Sequence, residues 1–142
     1  MGKRQAYGLV VLRLCLGVFF LFEAIGKFGW FTSSAVLSSR LTEWLQSAGP
    51  LNRPYLQLLL PGVEILARLV PLGEFAVAVA FLLGGYTRVA ATLAVLMVLN
   101  FHFASGVMFQ YSYLTNGYGL PVLGGLFALA IGGAALPLSL KK

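Results

Sequence analysis

From Ala67 to Leu83 the chain is apolar except for two ionisable side chains, Arg68 and Glu74. As a helix this run rises about 1.5 Å per residue and nearly covers a hydrocarbon core of roughly 30 Å. A charge at that depth costs a few kcal/mol unless it meets a partner or a wet cavity. Crossing length combined with interior charge therefore restricts the chain to folds in which lipid surrounds the outside and polar groups turn inward. Glu64 precedes this run, and Gly84-Gly85 and Arg88 follow it, before a second apolar run begins.

Composition agrees. Hydrophobic residues make up 59% and charged ones 10% of the 142 residues, which points to lipid as the solvent. A net charge of +6 would suit nucleic acid, but the basic residues sit at helix ends or singly inside apolar runs, as membrane orientation requires. The single Cys15 lies in the first apolar run and reads as a small packing residue. The start, Met-Gly-Lys-Arg before an apolar run, resembles a signal peptide. That run continues to Phe22, however, and Glu23 and Lys27 stand where a cleavage site would fall, so the reading is a retained membrane anchor.

One domain over residues 1–142 is expected, all-α, an integral membrane four-helix bundle with an interfacial amphipathic helix between the first and second spans. The first span is Tyr7 to Phe28. Between Thr32 and Gly49, Leu37, Leu41, Trp44, Leu45 and Ala48 recur at helical spacing opposite Arg40, Glu43, Gln46 and Ser47. This predicts an amphipathic helix in the interface or packed on the bundle, stopped by Gly49-Pro50. The segment from Arg53 to Gly85 is too long for one crossing. Pro61 and Pro71 are expected to divide it into an interfacial portion through about Leu66 and a crossing from Ala67. The third span runs from Val89 to about Val107, and the fourth from Tyr118 to about Leu138. Gly124, Ala128 and Gly132 on the fourth, and Ala76, Ala80 and Gly84 on the second, form small-residue ladders that predict close packing of these two helices. Basic residues place both termini in the cytoplasm of a multi-pass protein of the cell inner membrane, with Arg40 and Arg53 pulling mildly the other way.

This topology gathers Glu23, Lys27, Glu64, Arg68, Asn100 and His102 at the outer face. Glu23 to Lys27 and Glu64 to Arg68 are each spaced four apart, in the favourable order for helix-local ion pairs. The cluster reads either as pairs that fix how helices dock or as a polar pocket for a quinone or lipid head group. A quinone needs hydrogen-bond donors at its carbonyls and a proton route, which lysine, arginine, histidine and a carboxylate supply. His102 is the only histidine, so it cannot build a two-histidine haem site within the chain, and no metal is expected. Glu74 lies deeper, and Arg13 is its expected partner, as a buried pair or a step in a proton path. No Cys-x-x-Cys, phosphate loop, His-Glu-x-x-His or nucleophile elbow occurs, and aspartate is absent, so catalysis of the soluble kind is not expected.

The pattern Leu12-Arg13-Leu14-x-Leu16-Gly17-x-x-Phe20-Leu21, then Gly26-Lys27-Phe28, Gly73-Glu74, and Leu82-Leu83-Gly84-Gly85-x-Thr87-Arg88-x-Ala90-Ala91 resembles the DoxX family of four-helix membrane proteins. Asn100 to Gly106 and Asn116 are similar to its DoxD-like branch. The resemblance implies membership of membrane oxidoreductase systems, of the kind served by the small subunit of a thiosulfate:quinone oxidoreductase. Arg13, Lys27, Glu74 and Arg88 match its motif positions. The function it implies is a small subunit of a quinone-linked electron-transfer complex, with no intrinsic cofactor, partnered by lipids and larger redox subunits. The alternative is a non-catalytic structural subunit of a larger respiratory or photosynthetic membrane complex.

Overall fold

The computed structural model describes residues 2–140. Those residues form helices and turns, with no strand among them. Helix α1 (Lys3–Gly26) opens where the Gly2 backbone N–H donates to the Gln5 side chain at 2.9 Å, and ends in a 3₁₀ turn, Phe28–Phe31. Helix α2 (Ala35–Ser47) is the predicted amphipathic segment: Leu37 and Leu41 are buried, whereas Arg40, Glu43 and Gln46 are not. Helix α3 (Arg53–Leu59) takes Pro54 in its first turn, where no N–H is needed.

The expected division at Pro71 does not occur. Pro61 is absorbed in a 3₁₀ turn, Leu60–Gly62, and α4 (Val63–Leu83) then runs through a buried Pro71 at the cost of one backbone bond to Ala67. Together α3 and α4 make a helical stretch, Arg53–Leu83, long and apolar enough to cross a membrane, as are α1 and α5 (Thr87–Ala104). The tight α4–α5 turn requires left-handed backbone at Gly84, with φ 73°.

Helix α6 (Leu120–Gly132) is shorter than the fourth span expected from Tyr118 to Leu138. Its 13 residues rise about 20 Å, less than a bilayer core. Beyond Gly133 the chain folds back through left-handed positions at Ala135 and Leu138, and the Leu140 N–H donates to the Leu83 carbonyl at 3.2 Å.

The most extensive packing is of α1 on α4, followed by α5 on α6; α4 on α5 and α6 on α1 complete the ring. The predicted side-by-side packing of α4 with α6 is not observed: the two helices face one another across the core. Part of each ladder is correspondingly misplaced. Ala76 is exposed, and a Cβ added to Gly124 would meet nothing within 4 Å. Two ladder members do make close approaches, Gly132 to α1 and Gly84 to Arg13 and Ser139, and the others lie at Gly125, one residue around α6, and at Gly17 on α1. A Cβ on Gly125 would meet Leu12 and Leu16 at 3.2 Å, one on Gly132 would meet Leu9 at 3.0 Å, and one on Gly17 would meet Leu82 at 3.0 Å.

Phe20, Val77, Phe81, Ala94, Leu126 and Leu129 centre one core among α1, α4, α5 and α6. A second core joins Trp30, Leu37, Leu41, Leu56, Ala67 and Ala104 beside it, and buried Asn52 ties it to the end of α5 by donating to the Ala104 carbonyl at 3.2 Å. The outside is apolar: Tyr7, Val11, Leu14, Val18, Phe22 and Ile25 form an exposed stripe along α1 at helical spacing. In water such a stripe would be a liability; against lipid tails it is the expected surface. Cys15 is exposed on the same helix.

Candidate functional site

The site forms where the end of α1 meets the middle of α4. Their antiparallel packing sets Arg13 against Gly84, Gly17 against Leu82 and, at the far end, Lys27 against Glu74. The Lys27 ammonium donates to Glu23 Oε2 at 2.6 Å, to the Glu23 carbonyl at 3.3 Å and to Glu74 Oε1 at 2.9 Å. Its three protons are thereby all committed. The Glu23–Lys27 pair is the helix-local one expected from sequence; the bond to Glu74 links it across helices and brings a carboxylate that is only 6% exposed into the pair. Glu74 Oε2 has no hydrogen-bond partner. A second cation joins from α2: Lys27 Nζ and Arg40 Cζ lie 6.0 and 5.9 Å from the centre of the Trp30 ring.

These groups border a cavity of about 420 Å³, within the range of small-molecule pockets. Glu23, Lys27, Arg40, Glu74 and His102 supply its polar wall, and Phe19, Phe20, Trp44, Met97, Phe101 and Val122 its apolar one. Tyr118 and Ser105 complete the rim. His102 is anchored from behind by Tyr113, with Nδ1 2.9 Å from the hydroxyl and the rings edge to face. Burial pushes the Tyr113 phenol up, so at neutral pH it keeps its proton. When that hydroxyl donates to Nδ1, the imidazole proton lies on Nε2 and remains available to a ligand. The Arg40 guanidinium makes no hydrogen bond or ion pair among the described residues, so it too retains free donors.

The six residues expected to cluster are therefore split. Glu23, Lys27 and His102 line the cavity. Glu64 and Arg68 pair with one another at 2.5 Å on an exposed face of α4, where Ser34 also donates to Glu64; such a solvent-facing pair contributes little. Asn100 turns to Tyr55, whose hydroxyl it accepts.

Arg13 is not the partner of Glu74. It lies at the opposite end, 1% exposed, where Nη1 donates to Ser139 Oγ at 2.6 Å and Nη2 to the Leu138 carbonyl at 2.8 Å. Counting depth along each helix separately cannot give the register between α1 and α4, because a long connection rather than a tight turn joins them. Arg40, Trp44 and Tyr118 went unassigned for a related reason: they enter the site from α2 and from the loop before α6. The one available signal was the helical spacing that put Trp44 on the packed face of α2.

A chain whose described residues are all helix and turn, with three crossing-length apolar helices, an apolar outside and the Lys27–Glu74 pair turned inward, is a small membrane protein. It belongs to the DoxX family, whose family model matches residues 8–106, from α1 through the end of α5. No curated protein and no solved structure matches the chain.

Proposed function

We propose that the chain is a small integral membrane subunit of a quinone-linked electron-transfer complex, a four-helix bundle of the DoxD-like type with α6 as a short fourth crossing. Its cavity would take the head group of a quinone. The observation that carries this reading is the meeting, in one half-apolar cavity, of uncommitted donors on Arg40 and His102 with a buried carboxylate already joined to an ammonium. A quinone supplies a lipophilic ring with two carbonyl acceptors and takes up electrons and protons together. Arg40, His102 and Tyr118 suit the carbonyls, the aromatic wall suits the ring, and the Glu23–Lys27–Glu74 chain can hold or pass a proton. Larger redox subunits would provide the electrons. In the alternative, a structural subunit without chemistry, the same cavity would hold a lipid passively.

The two tryptophans make a direct test, because Trp44 lines the cavity and Trp30 adjoins it. Titration of a short-chain quinone into the purified protein should quench tryptophan emission saturably. Replacing His102 by alanine, or Arg40 by glutamine, should weaken that binding about tenfold, as expected for one lost hydrogen bond to a charged or buried group. Quenching that rises linearly without saturation, or is identical in well-folded variants, would sink the quinone assignment.

A further inference from the structure

At the end of the molecule opposite the Lys27 cavity, the charged side chains among the described residues are all of one sign. Lys3, Arg4, Arg13 and Arg88 lie there, while the chain's four acidic residues, Glu23, Glu43, Glu64 and Glu74, belong to the other end. Arg13 is therefore a cation 99% removed from solvent and, among the described residues, bonded to no carboxylate. Its Nη1 and Nη2 are bonded to neutral oxygens, and its Nε has no partner. Burying an unpaired charge costs several kcal/mol, and a nearby anion relieves it.

The same region contains a second cavity, of about 670 Å³, between the start of α5 and the returning segment after α6. Two of its walls, Gly84 and Ser139, are the residues against which the Arg13 guanidinium rests. Ser139 Oγ accepts from Arg13, which leaves its own proton free to be donated into the cavity. Thr87, Arg88 and Val89 form another wall. They are the first residues of α5, whose N-cap, Tyr86, provides no side-chain bond, so their backbone N–H groups have no partner. Arg88 uses only Nε, donating to the Ala130 carbonyl at 2.9 Å, and keeps the rest of its guanidinium fork. Helix N–H groups, a hydroxyl, an arginine fork and a buried cation behind the wall all favour one kind of ligand: an anion with several acceptor oxygens.

We infer that this cavity binds the phosphate of an anionic phospholipid head group. The exposed apolar faces beside it, at Leu83, Val89 and Leu140, would run along the acyl chains. The bound phosphate would neutralise Arg13 through Ser139 and fasten the C-terminal segment to α4 and α5.

The test uses the whole protein in mild detergent and reads the thermal unfolding midpoint during titration with short-chain phosphatidylglycerol, the corresponding uncharged diacylglycerol, and inorganic phosphate. Phosphatidylglycerol should raise the midpoint, and the other two should not at equal concentration. Arg88→Gln, at an exposed position, should weaken the response about tenfold, the usual loss for a charge-assisted bond. Ser139→Ala should weaken it in the same direction and serves if the first variant is poorly folded. An equal response to inorganic phosphate would overturn the lipid assignment in favour of the free ion. An equal response to the uncharged lipid, or none in the wild type, would remove the site altogether.

Discussion

At the scale of single residues, the decisive contact is Lys27 to Glu74. Glu74, only 6% exposed, is bonded to one ammonium, and removing that ammonium leaves a buried carboxylate without its counter-charge. Lys27→Met should therefore destabilise the protein by about 3–5 kcal/mol, the range seen when one partner of a buried pair is lost. Adding Glu74→Gln should recover much of the loss, since an amide needs no counter-charge. Thermal midpoints of the two single variants and the double variant form a cycle, and additive effects would show that the two side chains are not coupled. The sequence made Glu23–Lys27 legible because four residues on one helix fix two side chains on one face. It could not make Lys27–Glu74 legible, since that contact depends on how far α1 slides along α4.

At the scale of elements, the same limit separates what was read correctly from what was not. The amphipathic α2 and the crossing-length α1 and α5 follow from local pattern, and the structure contains them. The small-residue ladders depend on which face of a helix meets a neighbour, and there a shift of one residue turns the side chain by about 100°. Gly124 and Gly125 show the consequence. The second faces Leu12 and Leu16 across the α1–α6 contact, while the first faces open space. Gly125→Leu should cost about 1–3 kcal/mol through overpacking, and Gly124→Leu close to nothing, when both are followed by thermal unfolding in the same detergent. Equal losses would mean that α6 is rotated from the position described. Propensity alone makes Pro71 a divider. In α4 the surrounding packing outweighs the single hydrogen bond it removes.

At the scale of the whole molecule, α1 and α4 run antiparallel, and the segment after α6 returns to the Gly84 turn, so the first half of α1 and the last described residues belong to one end. That end carries the unbalanced positive charge. We predict that it faces the cytoplasm, as the distribution of basic residues in short loops requires. An energised membrane would favour the same orientation by roughly 2.3 kcal/mol per charge carried across each 100 mV. Reporter fusions at the two termini should report the same compartment, whereas opposite compartments would mean that α6 does not complete its crossing.

The Arg13 contacts also impose an order on biosynthesis. Arg13 enters the membrane with the first helix, but Leu138 and Ser139, which accept its protons, are 125 and 126 residues further along the chain. Until they leave the ribosome, the guanidinium lacks both of these acceptors. The bonds that close the C-terminal segment are thus among the last to form, and a chain stopped after α6 would have every helix in place yet leave its first buried cation without them.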